Sequence, residues 1–200
     1  MFDLIKYSKK NSFFKFILTK FLKIDISNLS KPFFFKQRIE LKIDNNFFYD
    51  YLKSNKNTKW SGQNPNEHYQ SNHDLQNLDQ LKKPIKLLES YLNNNIKKTI
   101  FKEARMGKFK IKSLWFTIQK FNQNVPLHNH PKSLLSGVYY HQLDENNGGE
   151  LEIFTESKKI EYSPKKNDLI IFNSETFHSV KAYNGKIDRI AIAWDAIYTL

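Results

Sequence analysis

Beyond Gly107 the chain becomes a succession of short β-type runs, and burying one face of each calls for two packed sheets. The runs cover 109–121, 134–143, 150–154, 168–172, 178–182 and 189–194. They are rich in Ile, Val, Phe, Tyr and Trp, with apolar residues recurring at every second position. Turn signals divide them, among them Asn146-Asn147-Gly148-Gly149 and Asn184-Gly185. This pattern predicts a sandwich or jelly roll, a fold that holds ligands between its sheets.

The N-terminal half reads differently. Leu78, Leu81, Ile85, Leu88, Leu92, Ile96 and Ile100 recur every three or four positions, which predicts a long amphipathic helix over 75–104, with Pro84 near its start and Gly107 closing it. Before it, 33–43 reads as a strand, and Asp44-Asn45 opens a short helix through Phe47, Phe48, Tyr51 and Leu52. Residues 55–74 are polar and predict a long loop that could form a lid, with His68 and His73 solvated in it. Phe14, Ile17, Leu18, Phe21 and Leu22 predict a basic amphipathic helix packed on the domain's own sheet; contact of 13–24 with a membrane surface is the less favoured alternative. A chain of 200 residues fits one core, so a helical extension with one early strand, 1–104, is expected to share a domain with the β-rich 105–200.

The net charge of +12 invites a nucleic-acid reading, yet only Arg38, Arg105 and Arg189 are arginines. Bidentate phosphate and base-edge contacts favour arginine, so nucleic acid is not an expected partner. The chain has no cysteine, which leaves only His, Asp and Glu to hold a metal. With no run of about 18 apolar residues and no small-residue cleavage site after the N-terminal apolar stretch, the expected setting is cytoplasmic.

The stretch VPLHNHPKSLLSGVYY, 125–140, places His128 and His130 one residue apart at the mouth of a strand, where alternation sends both rings to one side. Two converging imidazoles suit a first-row metal, and His178 is a third imidazole in a strand context. Arg189 opens the apolar run RIAIAWD. A buried guanidinium is costly unless it meets an anion, so it either pairs with Asp168 or Asp188 or holds an acidic ligand.

In this order, HxH, SLLSGVYY, GGELEIF, PKKNDLIIF, FHSV and RIAIAW resemble the iron(II) and 2-oxoglutarate dependent dioxygenases, built on a double-stranded β-helix. The resemblance covers 105–196. It is similar to a group reading H-x-H-P then S-G-V-Y-Y, and to the prolyl hydroxylase pattern H-x-D, Y-Y-L, G-G-x-L, distal H, R. It implies an α+β fold, a jelly-roll catalytic core over 105–200 with N-terminal helices packed on it. By the same resemblance His128 and His178 are iron ligands, and Arg189 and Tyr140 bind the far carboxylate of 2-oxoglutarate. Fe(II), 2-oxoglutarate and O2 are then the implied cofactors and cosubstrates. The implied activity is hydroxylation of a C–H bond with release of succinate and CO2.

Two positions depart from the superfamily pattern. His130 stands where an Asp or Glu ligand is usual, and Ala191 where a Ser follows the arginine by two. His130 is expected to take the carboxylate's place as third ligand, with Asp144, Glu152 or water as alternatives. The faces around Leu135, Val138, Phe172 and Ile192 are expected to form a dry pocket. Two other classes remain open: a cupin-like metal-dependent enzyme and a metal-free jelly-roll binding protein. The cupin pattern places Glu four or five residues past the second His, where Leu134 and Leu135 stand here. The expected partner is an unidentified small molecule or peptide side chain; composition says nothing about oligomeric state.

Overall fold

The structure, a computed structural model, describes residues 34–55, 68–100, 107–155 and 158–199. The expected amphipathic segment 13–24 lies outside them, as do the end of the predicted long helix and most of the polar loop. In chain order the elements are β1 (Phe34–Arg38), α1 (Asn45–Ser54), β2 (Tyr69–Gln70), α2 (Lys82–Tyr91), α3 (Lys97–Ile100), β3 (Lys108–Gln119) and β4 (Gln123–His128). They continue as β5 (Leu135–Gln142), β6 (Leu151–Phe154), β7 (Lys159–Tyr162), β8 (Asp168–Asn173), β9 (Phe177–Tyr183) and β10 (Arg189–Thr199). The strands form two antiparallel sheets, one ordered β1-β8-β5-β10-β3-β2 and the other β4-β9-β6-β7.

Because successive side chains of a strand alternate, the six-stranded sheet feeds two separate cores. Tyr140, Ile170, Phe172 and Ala191 pack with Leu151, Ile153 and Val180 of the four-stranded sheet, forming the interior between the sheets. Leu135, Tyr139, Ile171 and Ile192 face the other way, against Phe48, Leu88, Leu92 and Ile96 of the helical layer. The expected dry pocket therefore needs correction: Val138 and Phe172 face it, whereas Leu135 and Ile192 lie on the opposite face of the same strands. Sequence period alone cannot say which of two apolar faces meets the helices.

The short helix forms as predicted. Asp44 caps it by accepting a hydrogen bond from the Asn46 N–H at 2.9 Å, and Phe48 is driven edge-on into Phe116, ring centroids 5.1 Å apart. The long helix is interrupted. Two 3-10 turns, Leu75–Asn77 and Asp79–Leu81, precede α2, and a π-type turn, Leu92–Ile96, separates α2 from α3. The spacing accounts for the π turn. Leu88, Leu92, Ile96 and Ile100 are each four apart, and at 3.6 residues per turn each such step drifts about 40° around an α-helix. The wider turn cancels this drift, and all four residues are buried on the sheet. Asn93, inside that turn, accepts from the Phe109 N–H at 2.8 Å and donates to the Phe109 carbonyl at 3.0 Å, tying helix to strand.

Two motif glycines are dictated by close approach. A Cβ on Gly137 would stand 2.2 Å from Cζ2 of Trp194, so the SGVYY and RIAIAW segments pack directly. One on Gly149, whose φ is +74°, would lie 3.1 Å from Nε of Arg189, so the GGELEIF turn gives the arginine its passage.

His141 supplies a stability prediction. Its Nε2–H donates to Oδ1 of Asn45 at 2.6 Å, its ring meets that of Phe48, and burial, followed by the charge of Lys166, lowers its pKa to about 4. Folded protein thus keeps His141 neutral while unfolded chain takes up a proton below about 6.5. Stability should fall as pH drops through the window from about 6.5 to about 4, by roughly 2–3 kcal/mol from this residue. Denaturant titrations at pH 7 and pH 4 should show that loss shrinking in His141→Gln.

Candidate active site

Three imidazoles converge at one end of the space between the sheets. Ring nitrogens of His128, His130 and His178 all lie within 4.8 Å of one another. The ring centroids are 5.0 Å apart for His128 and His130, 4.2 Å for His128 and His178, and 5.2 Å for His130 and His178. His128 closes β4 directly opposite His178 of β9. His130, two residues beyond the end of β4, is not held by the strand's own pairing. It is fixed instead by its own N–H donating to the Ser174 carbonyl at 2.7 Å and its carbonyl accepting from the Ser133 N–H at 3.2 Å.

Each ring is held through Nδ1. His128 Nδ1 lies 2.8 Å from the Pro126 carbonyl, His178 Nδ1 3.0 Å from the Thr176 carbonyl, and His130 Nδ1 2.9 Å from Oδ1 of Asp195. A carbonyl or carboxylate oxygen can only accept, so each Nδ1 carries the proton and each Nε2 carries the lone pair. His130 Nε2 is buried without a hydrogen-bond partner. Burial, followed by the charge of His128, lowers the His178 pKa to about 3, and burial first also lowers that of His128, so these two rings stay in the neutral, metal-binding form. An oriented, three-nitrogen face fits a first-row divalent metal.

At the other end stands Arg189, 1% exposed. It donates through Nη1 to Oε1 of Gln119, its guanidinium carbon lies 4.9 Å from the centre of the Tyr140 ring, and its Nε has no partner. Neither expected carboxylate neutralises it. Asp168 takes hydrogen bonds from Tyr162 and the Lys165 N–H and pairs with Lys36, while Asp188 accepts from the Tyr49 hydroxyl at 3.1 Å. Among the described residues Arg189 forms no ion pair. The Tyr140 hydroxyl is likewise buried, beside that guanidinium, and burial raises its pKa to about 12, so it stays protonated.

The three histidines, Arg189 and Tyr140 line one cavity, with apolar walls from Leu151, Val138, Phe172 and Val180. Thr117 lines it too, directly across from Ala191 in the pairing of β3 and β10, and brings a hydroxyl beside the position where the serine is missing. An outer cleft of about 300 Å³, walled by Trp115, His73 and Lys132, shares His128 and His130 with this cavity.

Asp144 and Glu152, the alternative ligands, are engaged elsewhere: Asp144 accepts from the Lys186 N–H, and Glu152 binds Lys159 and Ser179. Two residues of the site escaped the sequence reading. Asp195 ends RIAIAWD in phase with Arg189, Ala191 and Ala193, and an acid closing an apolar run in that phase was the available signal. His68 was expected in solvent but is buried, bonded to the Asn124 carbonyl and Oε1 of Gln70, each at 3.2 Å. The pairing of β2 with β3 draws it onto the sheet edge, where it borders the cavity, and His73 stacks on Trp115 at 4.3 Å.

Residues 113–195 match the family described as "Putative 2OG-Fe(II) oxygenase". Among solved structures, the chain is similar to an oxidoreductase of the 2OG-Fe(II) oxygenase family from Burkholderia pseudomallei, with 14% identity and a TM-score of 0.52 over 65% of this chain and 64% of that one, just under two thirds of its length. A prolyl-4-hydroxylase from Pseudomonas putida aligns with 13% identity and a TM-score of 0.56 over 85% of this chain and 96% of that one. The viral collagen prolyl hydroxylase of Paramecium Bursaria Chlorella virus-1, solved with 2OG, aligns with 17% identity and a TM-score of 0.54 over 81% and 96%. No curated protein matches the sequence. These likenesses agree with the double-stranded β-helix and the superfamily resemblance. No helix among the described residues is long and apolar enough to cross a membrane.

Proposed function

We propose that this chain, whose residues 113–195 carry a core of the iron(II) and 2-oxoglutarate dependent oxygenase superfamily, hydroxylates a C–H bond of a small molecule or peptide side chain, releasing succinate and CO2. The observation that carries the reading is Arg189: a buried cation that forms no ion pair among the described residues, in one cavity with three converging imidazoles. A dicarboxylate that ligates a metal at one end and needs a cation at the other satisfies both ends.

In this reading His128, His130 and His178 hold the metal through Nε2. Iron, when bound there, supplies the coupling of O2 reduction to oxidative decarboxylation of the 2-oxo acid. Arg189 neutralises the far carboxylate, Tyr140 donates its hydroxyl to it, and Thr117 adds a second hydroxyl where Ala191 has none. Leu151, Val138, Phe172 and Val180 keep water from the reacting end, while the outer cleft admits the substrate.

The test is anaerobic titration of the full chain with Fe(II) and then 2-oxoglutarate by calorimetry, followed by admission of air and quantification of succinate. Binding of both and metal-dependent succinate formation are expected. Metal binding without 2-oxoglutarate binding would point to the cupin-like class, and binding of neither to a jelly-roll binding protein.

A further inference from the structure

The metal face contains no carboxylate among the described residues, yet one stands directly behind it. Asp195 reaches His130 Nδ1 with both oxygens, at 2.9 and 3.1 Å, and its side chain is 12% exposed. Oδ1 also accepts from Ser136 Oγ at 2.6 Å. Ser136 and Ser113 flank Asp195 in the pairings of β10 with β5 and β3, and the register shifts immediately after Asp195. The carboxylate is thus locked between two neighbouring strands. The ring of Trp115 is stacked on the imidazole, centroids 5.3 Å apart.

We propose that Asp195 is a positioning residue of the metal centre, holding His130 with Nε2 toward His128 and His178 and supplying, through that ring, the negative charge a carboxylate ligand would have supplied directly. The inference rests on His130 being a ligand. A hydrogen bond from Nδ1–H to a carboxylate fixes the tautomer, stops ring rotation and makes Nε2 more basic. It also offsets the charge of a centre ligated by three neutral nitrogens. His128 and His178 reach only neutral carbonyls, so Asp195 carries this role alone among the three Nδ1 partners.

The probe is Co(II), titrated anaerobically and followed by its visible absorption, with Fe(II) affinity measured in parallel. Asp195→Asn should weaken binding by about 10- to 100-fold and alter the Co(II) spectrum, while Asp195→Glu should recover part of both. Ser136→Ala, which frees the carboxylate without removing it, should cost a few-fold and serves if Asp195→Asn folds poorly. The decisive arm is the His130→Asp background. There a ligand carboxylate would face Asp195, so Asp195→Asn should leave affinity equal or higher, a reversal that a merely structural role would not produce. Affinity within threefold of wild type for Asp195→Asn, or the same loss in both backgrounds, overturns the inference while the proposed function stands. Absence of metal binding by wild type overturns the reading beneath it, and the inference with it.

Discussion

Arg189→Leu should bind Fe(II) as wild type does but lose 2-oxoglutarate affinity by about 3–5 kcal/mol, roughly two to three and a half orders of magnitude. The guanidinium is the buried counter-charge of the cavity, and without it a carboxylate entering between the sheets would be desolvated with no cation to meet. Tyr140→Phe should cost about 1–2 kcal/mol, as loss of one hydrogen bond to a charged group. The same geometry predicts an opposite effect on the empty protein. Arg189 is neutralised by no described carboxylate, and burial lowers its pKa, so Arg189→Leu should unfold at a higher temperature than wild type in the absence of ligand. Added 2-oxoglutarate should raise the melting temperature of metal-loaded wild type and leave that of the variant unmoved. Equal calorimetric affinity in both proteins would sink the assignment.

His178→Ala and His128→Ala should each remove tight metal binding, a larger loss than the roughly 10- to 100-fold typical of a residue one step behind the metal. Two nitrogens cannot hold the ion as three do, and the nearby acids are taken: Asp195 is held by His130 and Ser136, and Asp144 and Glu152 are engaged with Lys186, Lys159 and Ser179. His130→Ala should fall with them, whereas His130→Asp, which restores the pattern usual in the superfamily, should keep metal and support succinate formation. Retention of wild-type iron by both His128→Ala and His178→Ala, measured by metal analysis after anaerobic reconstitution, would mean that the centre lies elsewhere.

The strand pattern was largely legible in the sequence because a strand that buries one face must alternate, and a turn with positive φ, as at Asn146, Gly148 and Gly149, calls for Asn or Gly. Six predicted strands correspond to β3, β5, β6, β8, β9 and β10, with ends shifted by a few residues. Three strands were missed: β2 is two residues long and lies in the polar stretch read as a loop, and β4 and β7 have exposed or half-exposed residues through most of their length, so hydrophobic alternation scarcely marks them. The pairing of His128 with His178 followed from an ordered motif set; its physical basis is a cross-strand register no local window contains.

Partners far apart in the chain belong to the tertiary structure. Asp195 meets His130 across sixty-five positions, and Arg189 meets Gln119 across seventy. Composition allowed Arg189 a protein carboxylate or an acidic ligand with equal force, because both neutralise a cation. The choice rests on where Asp168 and Asp188 point: Tyr162, Lys165 and Lys36 engage the first and Tyr49 the second, so neither of them pairs with the guanidinium. Likewise the six-stranded sheet has two apolar faces of similar composition, and only packing of Phe48, Leu88 and Leu92 against one of them makes the other the wall of the site. Alternation along a strand sets which residues share a face, but the identity of what that face meets is settled by contacts made across the whole chain.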